Sequence, residues 1–398
     1  MAPEAGPLAP PSPDKLLMER IEAATRGMGL SVTARYFGDR VALISEHGDR
    51  TFGQLNARAN QVARALRARG LNEDDAVGLI CSNRPEFPET IYASQRSGLR
   101  TVPINWHLTA EETSYIVRDS EAKAIVADAR FSETVAEAAR LAPDATVRLS
   151  IGGDIDGFES LEDSVKEEDE SDLTDAVLGR HMLYTSGTTG RPKGVFRPGG
   201  MQGAAQMLQI YGPILERYAF GENDVNLVTG PLYHSAPLAF SLIVPIMAGV
   251  RSVLMDGWDP ETTLRLIEKH KVTHAHMVPI MFHRLLSLPA DVRARYDTSS
   301  LRFILHGAAP CPVEVKKSLI EWLGPVVHEY YAATEGLGTF VFAEEWLERP
   351  GTVGKIEDEK VEVRGSDGKR LPAGEVGFVF IHSDPDLKFE YYKDPAKT

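Results

Sequence analysis

Apolar positions along the chain follow two alternating rhythms. Leu55, Ala59, Val62 and Leu66 recur three or four residues apart, which places them on one face of a helix. Thr51 with Gln54 forms a capping box at its start, and Gly70 stops it. Residues 76–81 (AVGLIC) are then an unbroken apolar run of strand length, as expected for a strand buried on both faces. The succession repeats with a helix at 88–98, a strand at 101–104, a helix opened by Thr109 and Glu112, and a strand at 122–126. Downstream it predicts strands at 182–185, 253–255, 273–277, 303–305 and 326–330. Helices at 201–218, 262–270, 281–288 and 313–323 fall among them.

Such alternation predicts an α/β fold with mostly parallel sheets and helices on both sides. A chain of 398 residues exceeds one ordinary core. Two αβ subdomains packed together are expected, over 31–175 and 176–350, behind a disordered leader and first helix at 1–30. From 352 to 382 the pattern changes to short β segments with turns such as Ser366-Asp367-Gly368-Lys369. This predicts a small antiparallel or β-barrel-like module over 351–398.

Charge changes the picture in one place. Eleven acidic residues lie between 154 and 175 against the single basic Lys166, and they account for most of the net charge of −14. The run reads as a solvated acidic linker. An acidic chain without clustered Lys and Arg argues against nucleic acid as a partner. The longest apolar run, 236–250, is too short to span a bilayer and carries Pro237 and Pro245. The start, MAPEAGPLAPPSPDK, lacks the basic and apolar regions of a secretory signal. Cys81 and Cys311 are the only cysteines, which excludes a disulfide framework and fits a reducing cytoplasm.

The densest chemistry is Tyr184-Thr185-Ser186-Gly187-Thr188-Thr189-Gly190-Arg191-Pro192-Lys193-Gly194. Glycines let backbone N–H groups approach a polyphosphate, hydroxyls add donors, and the lysine brings a mobile positive charge. An ordinary P-loop requires Gly-Lys followed by Ser or Thr; here Pro192 precedes Lys193 and Gly194 follows it, so the loop is of another class. Three further segments follow in order: Pro231-Leu232-Tyr233-His234-Ser235, Gly307-Ala308-Ala309-Pro310 and Glu329-Tyr330-Tyr331-Ala332-Ala333-Thr334-Glu335. Val102-Pro103-Ile104-Asn105 upstream and Glu390-Tyr391-Tyr392-Lys393-Asp394-Pro395 downstream complete the set.

Together these segments resemble the signatures of the adenylate-forming superfamily: acyl-CoA synthetases, firefly-type luciferases and peptide-synthetase adenylation domains. The resemblance covers essentially the whole chain after residue 30, and it is to the large N-terminal domain of an acyl-CoA synthetase. It implies ATP, Mg²⁺ and coenzyme A, with a small-molecule carboxylic acid as the partner. Residues 185–190 and Lys193 would hold the polyphosphate. Gly307, Ala308, Ala309 and Pro310 would line the adenine, as would Glu329, Tyr330, Tyr331, Ala332 and Ala333, with Tyr331 stacking on it. Thr334 would bind the α-phosphate, and Glu335 with Thr185 would reach the metal. His234 would gate an acyl pocket that includes Met277, Val278, Gly307, Ala333, Gly336 and Gly338.

Lys193, Thr334, Glu335 and His234 are the catalytic candidates. His274, His276 and His283 lack supporting Cys or carboxylate ligands and read as structural, with His276 near the acyl pocket at most. The resemblance further implies a ribose-binding aspartate, a hinge and a small C-terminal domain beyond Thr398. None of these lies within this chain. A homodimer is compatible with the sequence. An adenylation domain for amino acids is disfavoured because His234 stands where an aspartate would hold the amine. An acyl-AMP ligase feeding a carrier protein is disfavoured by the short segment 336–354. A family member performing one half-reaction and a non-catalytic acyl-adenylate-binding module complete the alternatives; nothing points to a luciferase-like oxygenase.

Overall fold

The computed structural model describes residues 9–185, 191–200, 203–357, 360–382 and 388–398. Both capping boxes form as the sequence expects. The Thr51 hydroxyl accepts from the N–H of Gln54 while the Gln54 side chain accepts from the N–H of Thr51, opening helix Phe52–Ala68. Thr109 and Glu112 do the same for helix Ala110–Asp119.

The chain divides into two compact units. The first comprises residues 1–196, 200–258 and 390–398. Its largest sheet has six strands, all parallel, in the order Glu159–Ser160, Val147–Ile151, Ala122–Asp128, Ala76–Ile80, Arg100–Pro103, Arg180–His181. The predicted run at 76–81 is its centre, with every residue of Ala76–Ile80 buried. One face packs on helix Phe52–Ala68 through Leu55, Val62 and Leu66, and the other carries Ile116, Val117 and Val135. Strands Val225–Val228, Arg251–Leu254, Val41–Ile44 and Arg50–Thr51 are hydrogen-bonded side by side in the same unit.

The second unit comprises residues 197–199 and 259–389. His274–Met277, Phe303–His306 and Val327–Ala333 run parallel, and Gly336–Val341 folds back antiparallel on the last of them. Helices Pro260–His270, Pro279–Leu286 and Val313–Leu323 connect them.

Two expectations are corrected. Among the described residues, the downstream module contains a two-stranded antiparallel hairpin, Val361–Arg364 with Phe378–Ile381, which is too few strands to close a barrel. The next strand, Glu390–Tyr391, joins the first unit instead.

The acidic run is solvent-exposed, as the sequence expects, and it is also held in place by ion pairs and hydrogen bonds. It lies along the basic face of helix Phe52–Ala68. Arg58 meets Glu162 at 2.7 Å, Arg67 meets Asp175 at 2.8 Å and Arg69 meets Glu159 at 2.6 Å. Asp172 is tied by Asn56 at 2.8 Å, Asn60 at 3.1 Å and Ser31 at 3.0 Å. The run is a strap whose charge is answered by arginines ninety or more residues earlier, and no local pattern displays that.

Candidate functional site

Strand Leu183–Thr185 pairs antiparallel with Lys193–Phe196, so Thr185 and Lys193 stand opposite each other at the mouth of the glycine- and threonine-rich loop. Ser186, Gly187, Thr188, Thr189 and Gly190 lie outside the described residues. A β-carbon at Gly194 would come within 3.1 Å of the Tyr184 ring and 3.2 Å of the Met182 sulfur. The glycine after the lysine therefore sits in the strand where a side chain would crowd Tyr184 and Met182. The base of the loop is tied down on two sides. The Tyr184 hydroxyl donates to Asp119 at 2.6 Å, and burial with that bond pushes its pKa up. The Tyr115 hydroxyl donates to the Pro192 carbonyl at 3.3 Å, and the Arg191 guanidinium lies 5.2 Å from the Tyr115 ring.

Also in the first unit, strand Val225–Val228 runs into the turn that carries His234. Asn83, which sequence reasoning passed over, fixes that turn. Its amide donates to the carbonyls of Gly230 at 2.9 Å and Met255 at 3.0 Å, and its oxygen accepts from the N–H of Leu232 at 3.0 Å. The buried amide thus makes three bonds, near its full capacity. His234 is exposed, and its ring lies 4.5 Å from that of Tyr233, which meets Trp106 edge-on at 6.3 Å. A π-helical stretch, Pro237–Ile243, follows at once, a distortion that concentrates at functional sites.

In the second unit the candidate residues gather at the carboxyl ends of the parallel strands, where ligands of open α/β sheets are held. Met277, His306 and Glu329 are adjacent across three strands. Gly307 follows directly, and a β-carbon there would press to 2.6 Å from the Tyr330 ring. Ala308 takes a left-handed φ of 66°, a strained backbone for a residue with a side chain. Ala308, Ala309 and Pro310 are exposed. Tyr330 is buried with its hydroxyl 3.1 Å from His276 Nε2, whereas Tyr331 is 46% exposed. His276 is therefore a structural partner of Tyr330. Among the described residues, no group of three or more His, Cys, Asp or Glu side chains could hold a metal.

Thr334 and Glu335 form the two-residue connection between Val327–Ala333 and Gly336–Val341, with Ala333 opposite Gly336. The Arg197 guanidinium donates to both of their carbonyls, at 2.9 and 3.0 Å. Gly338 meets the Tyr331 carbonyl so closely that no side chain fits. Glu329 makes a buried ion pair with Lys316 at 2.8 Å, and the Lys316 ammonium also lies 4.6 Å from the Trp346 ring. Burial lowers the lysine's pKa and Glu329 opposes that shift. His306 Nε2 is 3.4 Å from the same carboxylate, and burial holds this imidazole neutral, well below its usual pKa. Lys316 was legible in one respect: it occupies the apolar face of its helix with Leu319 and Ile320.

Residues 30–388 match the AMP-binding enzyme family. This chain belongs to that family. Among its AMP-binding relatives is the long-chain-fatty-acid–CoA ligase FadD13 of Mycobacterium tuberculosis, 33% identical over 355 residues, covering 87% of this chain and 67% of the relative. A feruloyl-CoA synthase of an Amycolatopsis species is 29% identical over 352 residues, with the same shares covered. In structure, the chain is similar to the inhibitor-bound N-terminal domain of FACL13 from Mycobacterium tuberculosis. The TM-score is 0.78 at 28% identity, covering 94% of this chain and 92% of that one. These AMP-binding relatives are acid–thiol ligases by name. The AMP-binding fold, with mostly parallel sheets, is the one expected from the strand–helix alternation. Among the described residues, no helix is long and apolar enough to cross a membrane.

Proposed function

We propose that this chain carries the nucleotide- and acid-binding part of an acyl-CoA ligase acting on a hydrophobic carboxylic acid. The observation that carries the reading is the loop mouth at which Thr185 faces Lys193, in a chain of the AMP-binding family. A carboxylate oxygen of the acid attacks the α-phosphorus of ATP, and the bond to the bridging oxygen of the β-phosphate breaks, releasing pyrophosphate. The CoA sulfur then attacks the acyl carbonyl, its proton is lost, and AMP leaves with the electron pair of the broken acyl–oxygen bond. Lys193 and the loop donors stabilise charge on the departing pyrophosphate, and Thr334 holds the α-phosphate.

Tyr331 offers its exposed ring to the adenine beside Gly307, Ala308, Ala309 and Pro310. Thr185 would offer a hydroxyl oxygen and Glu335 a carboxylate oxygen of the kind that suits Mg²⁺, which would neutralise phosphate charge. His234 closes the acyl pocket. A hydrophobic acid is favoured by the apolar stretch Pro237–Ile243 and Val244–Ala248, and by relatives named for long-chain and feruloyl substrates.

The test is acid-dependent exchange of pyrophosphate into ATP, followed by acyl-CoA formation, across straight-chain acids of increasing length and a parallel set of ring acids. Affinity should rise by about 0.8 kcal/mol per buried methylene until the pocket is full. A flat chain-length response with tight binding of a ring acid moves the substrate to an aryl or polycyclic acid. Failure of every acid to support exchange, with nucleotide still bound, overturns the ligase reading in favour of a binding module.

A further inference from the structure

The loop hairpin has a third strand. Glu390–Tyr391 runs antiparallel to Lys193–Phe196, with Tyr391 opposite Val195 and Glu390 opposite Phe196. The N–H of Tyr392 donates to the Gly194 carbonyl at 2.8 Å and extends the ladder. Residues two apart on a strand share a face, and diagonal cross-strand neighbours are within reach of long side chains. Lys193 therefore has Thr185 directly opposite on one side and Tyr391 diagonally opposite on the other. The Lys193 ammonium lies 4.9 Å from the centre of the Tyr391 ring, within the range of a cation–π contact.

The segment that supplies the ring is itself anchored. The Tyr392 hydroxyl donates to Glu121 at 2.6 Å. The Lys393 ammonium lies 3.1 Å from Glu121 and donates to the Asp119 carbonyl at 3.0 Å. The Arg100 guanidinium sits 4.7 Å from the Tyr392 ring. Asp119 also holds Tyr184 of the first hairpin strand, so both outer strands of this three-stranded sheet are fixed to the end of one helix.

We propose that Tyr391 is a positioning residue for Lys193. Its ring face holds the ammonium on the side of the sheet that Thr185 shares, before any nucleotide arrives. A free lysine side chain loses much rotamer freedom when it binds a phosphate. One already resting on an aromatic face has lost part of it in folding, so less is lost on binding. The contact needs the π-face and not the phenol hydroxyl. The inference rests on reading Lys193 as the lysine that meets the polyphosphate.

The experiment is a double-mutant cycle read by calorimetric binding of a non-hydrolysable ATP analogue and by KM for ATP. Tyr391→Leu should weaken analogue binding about three- to fivefold and raise KM for ATP similarly, leaving KM for the acid unchanged. Tyr391→Phe, which keeps the ring face, should restore most of that loss. In a Lys193→Ala background, Tyr391→Leu should have no further effect, because the interaction it removes is already gone. An equal loss in both backgrounds means that the ring only supports the sheet, and the proposal fails. It fails equally if Tyr391→Phe is as impaired as Tyr391→Leu, or if Tyr391→Leu binds the analogue like the parent. A Lys193→Ala variant that binds the analogue as tightly as the parent separates a different failure, that of the phosphate reading itself.

Discussion

Lys316 is fully buried, and among the described residues its carboxylate partner is Glu329 at 2.8 Å. Breaking a buried ion pair by removing one partner leaves the other charge without compensation and costs about 3–5 kcal/mol. Lys316→Met should therefore lower unfolding free energy by about that much in urea titrations. Lys316→Met combined with Glu329→Gln should recover most of the loss, since the lone carboxylate is then gone. A double variant no better than the single one would show that Lys316 acts through its stem against Trp346. Lys193 belongs to the opposite case: half-exposed and at the mouth of a loop, it should matter little to stability. Lys193→Ala should reduce acid-dependent pyrophosphate exchange about 10²–10³-fold, the usual effect of losing one charge-assisted donor, with the urea midpoint almost unmoved.

Among the elements, the acidic strap separates contacts that hold from contacts that only decorate. Asp172 is exposed, but two of its donors, Ser31 and Asn60, are buried. Desolvation pushes its pKa up, but the bonds from Asn56, Asn60 and Ser31 outweigh that and hold it below the usual value. Asp175 meets Arg67 in the open, where solvent screens the pair. Asp172→Ala should cost about 1–3 kcal/mol, because it strands buried donors. Arg67→Ala should stay within about 0.5 kcal/mol. Equal costs in urea titrations would mean that the strap is held by its summed charge.

The same strap marks what a sequence displays and what it hides. The two capping boxes, the buried run at Ala76–Ile80 and the Thr185-to-Lys193 loop are legible because each is written in consecutive residues. Asn83, Arg197 and the strap itself act on partners far along the chain: Asn83 on Gly230 and Met255, Arg197 on Thr334 and Glu335. Nothing in the composition around Asp172 names Asn56. The third strand at Glu390–Tyr391 was visible as a familiar motif, yet its pairing with Lys193–Phe196 was not, because register between distant strands leaves no local periodicity.

At the scale of the whole molecule, acid should loosen the fold before its carboxylates titrate. Burial depresses His276 and His328 from the ordinary value to about 4. Each is neutral in the fold and binds a proton more readily once unfolded. Their contribution is complete above pH ~6.5 and is lost as pH falls from there towards 4. The urea midpoint should therefore decline through that window, and replacing both histidines by glutamine should lessen the decline, leaving the part due to His181 and His306, which burial also depresses. A slope unchanged in the double variant would place the acid sensitivity elsewhere.

The pairing of Lys193–Phe196 with Glu390–Tyr391 also has a consequence for the order in which the protein is made. A ribosome adds about 5–20 residues per second, so roughly 10–40 s separate the emergence of the two strands. During that interval the loop hairpin has been synthesised, but one edge of Lys193–Phe196 has no partner. An unpaired edge can template pairing with another chain, and here its flank carries Val195 and Phe196. The nascent chain therefore passes through a period in which this hairpin is both unfinished and adhesive. Slow decoding between these two strands would lengthen that exposure, and a chaperone that covers the edge would shorten it.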